Sequence, residues 1–226
     1  MRRALALVGL AFILAPHAAG GQEPAPAPAA GTGTIVGTVA FPEGAQPRRV
    51  RQRYPGQAPG AEKGKKTESF PAVVYVADVT GPAVTGAKAT VEQRDIDFTP
   101  KVLAIRTGTA VDFPNRDDVY HNVLSYSTPK RFDLGRYAKD ESREVVFDKP
   151  GVVRLGCEIH EHMRGYIVVL EQPHFVVTDA EGAFRIAAVP VGTHRLAVWH
   201  EKGKAEPVDV EVRAGAEASV TFALAR

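Results

Sequence analysis

Apart from residues 44–70, the chain from residue 34 onward is a succession of short Val/Ile/Phe/Thr-rich runs. Gly, Pro, Asn or Asp separates most of them. The runs lie at 34–41, 72–79, 88–93, 101–107 and 110–113, then at 121–126, 143–148, 152–157 and 165–171. The last group lies at 174–178, 183–187, 194–200, 207–213 and 217–224. β-Branched and aromatic residues pack well on a pleated surface, and runs this short fit strands better than helices. No window of about 12 residues holds a helical period. Many short strands with frequent turns imply an all-β chain built as sandwiches or barrels. One stretch, FDLGRYAKDES at 132–142, could hold a helical turn.

The N-terminus reads differently. Arg2 and Arg3 form a basic start, residues 4–15 are apolar, and Ala18, Ala19 and Gly20 are small. This is the pattern of a secretory signal peptide over 1–20. Its apolar part is too short to span a bilayer, which needs about 20 residues. No later stretch approaches that length, so no integral membrane segment is expected in the mature chain. A periplasmic or secreted location follows. Residues 21–32 are Pro/Ala-rich and read as a linker. The formal charge is +2, from 28 basic and 26 acidic residues. Loss of Arg2 and Arg3 with the signal leaves equal numbers, which argues against a nucleic-acid partner. Residues 44–70 carry Arg48, Arg49, Arg51, Arg53, Lys63, Lys65 and Lys66. They are expected to form a long solvated loop, or else a patch for an acidic partner.

Sulfur is scarce and clustered. There is one cysteine, and one of the two methionines is the initiator. The remaining sulfurs, Cys157 and Met163, share the window GCEIHEHMRGYIVVL at 156–170. A lone thiol in an exported chain is unusual, and a metal that ties up the thiolate accounts for it. Cys157 and His160 stand three apart between two strand-like runs, and Met163 stands three further on. A second imidazole, His121, closes a different strand-like run that begins after the turn Pro114–Asp118. Two strand ends meeting at one pole could set His121, Cys157 and His160 in a plane, with Met163 on its axis. Thiolate, imidazole and thioether form a soft set that suits copper. Zinc also takes Cys and His, but a thioether is a poor zinc ligand and no fourth thiolate or hard ligand is apparent. His174, His194 and His200 have no metal spacing and read as surface or interdomain residues. Asp117 and Asp118 read as a solvated turn. No nucleophile motif, P-loop or dinucleotide fingerprint occurs, so no enzyme activity is expected.

The window C-x2-H-x2-M followed by R-G and an apolar strand resembles the ligand loop of cupredoxins, of the amicyanin and plastocyanin type. The triplet His121–Asn122–Val123 is similar to their upstream ligand segment. DFTPKVLAIRTGTAVDFPN at 97–115 resembles the strands before it. The resemblance covers roughly 88–171. It implies a Greek-key β-sandwich over 81–171 holding one copper ion on His121, Cys157, His160 and Met163. It also implies that Asn122 ties the His121 strand to the Cys157 loop. Two departures stand out. Amicyanin-like loops carry prolines beside the histidine ligand, whereas this chain has Ile159 and Glu161, which keep their N–H groups. His162 stands where an aromatic residue is usual, and it is the alternative axial ligand.

Residues 172–226 read as a second small β-sandwich. VTDAEGAFRIAAVPVGTHRLAVWHE resembles the end of a carboxypeptidase regulatory-like (transthyretin-like) domain. The start of such a domain is matched far upstream, by GTIVGTVAF at 33–41 and AVVYVADV at 72–79. A discontinuous domain over 33–80 and 172–226, with the copper domain inserted, is therefore expected. The function implied is a periplasmic blue-copper carrier of single electrons between redox protein partners of cytochrome or dehydrogenase type. Copper binding or delivery without electron transfer is the alternative.

Overall fold

The computed structural model describes residues 31–41, the backbone of 48–49 and 67–68, and residues 70–226. The expected signal peptide, almost all of the linker and nearly all of the basic stretch 44–70 lie outside the described residues. Every regular element among the described residues is a β-strand. The chain is all-β, as its punctuated apolar runs predict, and no described helix is long and apolar enough to cross a membrane.

The middle of the chain forms a two-sheet sandwich. One sheet has the order Arg131–Tyr137, His121–Tyr126, Gly151–Gly156, Arg164–Leu170, Val102–Arg106. The other has the order Glu144–Phe147, Thr109–Asp112, Lys88–Thr90. The chain switches sheets repeatedly between 106 and 151, which gives a Greek-key path. Alternation decides which side chains enter the core. In Glu144–Phe147, Val145 and Phe147 point inward while Glu144 and Val146 face out. They meet Val123, Val153, Leu155, Ile167 and Val169 from the opposite sheet. A fully buried side chain such as Phe147 or Phe113 stabilises the fold by about 1.5–3 kcal/mol.

The stretch 132–142 is not helical. Arg131–Tyr137 is a strand paired with His121–Tyr126, and its register shifts between Asn122 and Leu124. Gly135, at φ +65°, supplies the left-handed residue in the shifted segment. The extra residue breaks the strict alternation on which a strand is recognised in sequence.

The outer sandwich is built from both flanks of the middle unit. Thr32–Ala40 lies between Ala183–Pro190 and Glu217–Ala223. Val73–Val76 lies between Phe175–Val177 and Gly192–Trp199, which also pairs with Val208–Val212. Ile35, Val74, Phe184, Leu196, Val210 and Phe222 share its core. The two crossings between units run side by side: Gly81 N–H donates to the Glu171 carbonyl at 2.9 Å, and the Gln172 side-chain amide to that of Ala77 at 3.4 Å.

The strand Arg164–Leu170 is buried on both faces, which explains its unbroken apolar run. Ile167 and Val169 face the middle core, whereas Val168 and Leu170 belong to a third cluster with Phe70, Val73 and Val102. Tyr166 and Trp199 pack there with ring centroids 5.3 Å apart. Burial and the neighbouring Glu201 push the Tyr166 phenol up to about 12. This aromatic layer joins the strand that leaves the Cys157 loop to the outer sandwich.

Candidate metal centre

The site grows from two chain segments at one pole of the middle sandwich. The first is the turn Pro114–Asp118 and the strand after it. Asn115 is fully buried and its side-chain amide donates to the carbonyls of Val119 (2.8 Å) and Tyr137 (3.2 Å). Its Oδ1 accepts the Asp117 N–H at 2.9 Å. These bonds curl the turn so that Asp117 faces back toward His121, the first residue of the strand His121–Tyr126. Asp117 Oδ2 lies 2.9 Å from His121 Nε2.

Asp117 is held from its other side as well. The N–H groups of Asp95 and Ile96 donate to its two oxygens at 2.7 and 2.8 Å. Both residues have positive φ, 55° and 57°. For a β-branched residue such as Ile96 that conformation costs on the order of 1–3 kcal/mol, and two hydrogen bonds to a carboxylate offset it. Burial would raise the Asp117 carboxyl, but the Ile96 N–H, His121 and the Asp95 N–H together bring it below the usual range. An ionised Asp117 accepts, so in the neutral ring His121 Nε2 carries the proton and Nδ1 presents its lone pair.

The second segment is the loop 157–163, between strands Gly151–Gly156 and Arg164–Leu170. It is closed by a bond from Met163 N–H to the His160 carbonyl at 2.9 Å. It is fastened to the first segment by Asn122, whose Oδ1 accepts the Glu158 N–H at 2.7 Å and whose amide donates to Asp133 at 3.2 Å. Burial would raise the Cys157 thiol. Hydrogen bonding with His121 and the backbone groups of Asn122, His160 and Ile159 more than offsets this and lowers it. The Ile159 N–H is one that a proline in that position would lack. Burial raises the cost of charging either ring. The bonds to Cys157 and Asp117 nevertheless leave His121 above its ordinary value, while His160 falls below, pressed further by the charges of His121 and His162.

Among the described residues, His121, Cys157 and His160 form the one group of this kind whose donor atoms all lie within 4.8 Å of one another. The two Nδ1 atoms are 3.1 Å apart, and Cys157 Sγ is 3.8 Å from His160 Nδ1. Donors sharing one ion at about 2.0–2.3 Å stand about 3–4 Å apart at trigonal or tetrahedral angles, and these separations fall there. With the His121 Nδ1 lone pair facing His160 Nδ1, either a proton on His160 Nδ1 or a cation lies between the two rings. The donor set therefore fits a metal ion.

Met163 is fully buried in the same cluster as Cys157. His162 lies apart from the donor group: its Nε2 is 3.1 Å from the Ile96 carbonyl, and its ring centroid is 6.2 Å from that of His160. Asp117 belongs to the site although its sequence context, a polar turn, reads as solvated. Its position four residues before His121 was the available signal.

No protein-family model matches the chain, and no curated protein matches it. Solved structures similar to it include a Cu-containing nitrite reductase (NirK) from Thermus scotoductus SA-01, at 32% identity and a TM-score of 0.37. That match covers 43% of this chain and 25% of the reductase, so the chain spans a quarter of that protein. A purple cupredoxin from Nitrosopumilus maritimus matches at 26% identity over 36% of this chain and 99% of its own, with a TM-score of 0.33. A reduced amicyanin variant matches at 20% identity over 44% of this chain and 99% of its own, with a TM-score of 0.36.

Proposed function

We propose that the chain is an exported type 1 copper protein that carries single electrons between redox protein partners of cytochrome or dehydrogenase type. His121 Nδ1, Cys157 Sγ and His160 Nδ1 hold the ion, and Met163 is the axial ligand. The observation that carries the reading is the convergence of two Nδ1 atoms and a buried thiolate, with the thioether in the same core cluster. A thiolate, two imidazoles and a thioether suit copper. Bound copper would supply one-electron Cu(II)/Cu(I) chemistry.

The protein's part is to hold the donors still. Asp117 fixes the tautomer and ring plane of His121. Asn122 pins the loop, and the backbone groups around Cys157 stabilise its thiolate. Both segments hang on paired strands, so the donors need not move between oxidation states. Four protein donors also leave no ligand position for a substrate, which favours a carrier over an enzyme.

The test is addition of Cu(II) to the purified chain, followed by visible and electron-paramagnetic-resonance spectra. An intense thiolate-to-copper band is expected. A weak band of nitrogen and oxygen ligation would instead indicate copper binding or delivery without electron transfer.

A further inference from the structure

The short strands Glu92–Gln93 and Phe98–Thr99 are joined by a turn, which is closed by the Arg94 N–H donating to the Asp97 carbonyl at 2.9 Å. Asp95 and Ile96, at its tip, are the left-handed residues that hold Asp117. One side of the turn therefore serves His121. The Ile96 N–H (2.8 Å) and His121 Nε2 (2.9 Å) meet on the same Asp117 oxygen, Oδ2.

The other side of the turn holds the loop 157–163. The Ile96 carbonyl can only accept, so His162 Nε2, 3.1 Å away, donates to it. Asp97 pairs with Lys101, whose ammonium donates to the Arg164 carbonyl at 3.2 Å. The Tyr166 N–H then donates to the Lys101 carbonyl at 2.8 Å. Gly165 permits this close run: a Cβ there would stand 3.3 Å from both the Lys101 carbonyl oxygen and Phe98 Cβ. Met163 thus lies between two anchored neighbours, and Phe98 is buried in its cluster. The front of the loop is fastened at Glu158 by Asn122. His160, midway between 158 and 162, has a tie on each side. A left-handed β-branched residue persists where its surroundings fix it. Here Ile96 offers its N–H to one ligand segment and its carbonyl to the other.

We infer that the turn 94–97 is a brace between the two ligand segments and that His162 is a positioning residue. Through Ile96 and Asp117 it fixes the ring of His121 across the site. That the brace serves a copper ligand rests on the function proposed above; the brace itself does not.

The test uses the full chain without metal, isotope-labelled at histidine, and reads the His121 Nε2 proton by nuclear magnetic resonance. His162→Leu removes the donor and keeps bulk. It should shift that proton and speed its exchange with solvent, because Ile96 then seats Asp117 less firmly. His162→Gln, which keeps a side-chain N–H, should restore the wild-type signal. The buried ring of His194 is the control and should not change. Coupling between two places is reciprocal, so Asp117→Ala should in turn shift the ring signals of His162. A dispersed amide spectrum reports that each variant is folded. An unchanged His121 signal in His162→Leu, or equal shifts in the Leu and Gln variants, would overturn the brace. So would unchanged His162 signals in Asp117→Ala. With Cu(II) bound, His162→Leu should release the ion to a chelator about tenfold faster, and His162→Gln should not. Unchanged release in His162→Leu would overturn the positioning role. A shifted His121 proton in a chain that gives no copper chromophore would leave the brace standing while the proposed function falls.

Discussion

The histidines of the two sandwiches are built to opposite ends. In the outer sandwich, His194 places Nδ1 2.9 Å from Asp78 and Nε2 2.9 Å from the Pro190 carbonyl. His200 sets Nε2 2.9 Å from the Phe70 carbonyl, and its Nδ1 accepts the Lys202 N–H at 3.2 Å. Each ring nitrogen of these two histidines has a protein partner. In the middle sandwich, His121 is equally buried and its Nε2 is equally satisfied, yet its Nδ1 faces that of His160. Burial and hydrogen bonding are alike in the two places. The approach of one ring nitrogen to another, next to a thiol of lowered pKa, marks His121 as the candidate ligand and sets it apart from a structural histidine.

The strongest way to break this comparison is to remove the sulfur. Cys157→Ala should abolish the blue chromophore, because the thiolate is the charge-transfer donor. His194→Gln should leave the spectrum unchanged. Visible titration with Cu(II) reads both variants, and an intensely blue Cys157→Ala protein would refute the site.

Asp117 sharpens the comparison, because it does for His121 what Asp78 does for His194 and yet serves the proposed ligand. Asp117→Ala should lower copper affinity by about 10–100-fold, the usual cost of losing an outer partner of a metal-bound histidine. Asp117→Asn should recover part of it, through the surviving side-chain oxygen. Competition with a chelator measures the affinity. Equal loss in the Ala and Asn variants would mean that Asp117 acts only by holding the 95–96 turn.

A smaller effect is expected at the axis. Met163→Gln should lower the reduction potential while copper still binds, because a harder oxygen donor favours Cu(II) over Cu(I). His162→Ala should change the potential little, since its Nε2 is turned to the Ile96 carbonyl. Protein-film voltammetry distinguishes the two. A large shift in His162→Ala with none in Met163→Gln would transfer the axial role to His162.

These contrasts also mark what could be read from residues alone. The all-β class was legible because Val145 and Phe147, or Phe184 and Ile186, alternate with outward residues over runs too short for helices. The strand Arg131–Tyr137 was not, because its bulge at Gly135 interrupts the period. His121, Cys157 and His160 were legible as a set because soft ligands are scarce in the chain and cluster in one window. Asp117 was hidden. Its role depends on Asp95 and Ile96 taking left-handed conformations without glycine, and on Asn115 curling the turn. None of that is encoded in a local pattern. Likewise, His194 and His200 read as surface or interdomain residues, yet both are buried, because Asp78 and the Phe70 carbonyl arrive from positions more than a hundred residues away.

The smallest expected effect belongs to the outer sandwich and concerns pH. Burial would raise the Asp78 carboxyl, but its hydrogen bonds with His194 and the Arg195 N–H bring it below the usual value. A carboxylate with a lowered folded-state pKa binds fewer protons folded than unfolded. Its contribution is therefore complete above the unfolded value, near 4, and is lost as pH falls through the folded one. The Asp78 side chain is 41% exposed, so solvent screening holds that contribution below about 1 kcal/mol. Asp78→Asn should therefore lower Tm slightly at neutral pH, with the gap to wild type closing as the solution is acidified below pH ~4. Metal-free protein is the right material, because acid would also release a metal held at the proposed site of the other sandwich. Thermal melts across that range provide the measurement. A gap that widens on acidification would show that Asp78 stabilises the fold in its protonated form and that the hydrogen bonds to His194 and Arg195 do not hold its charge.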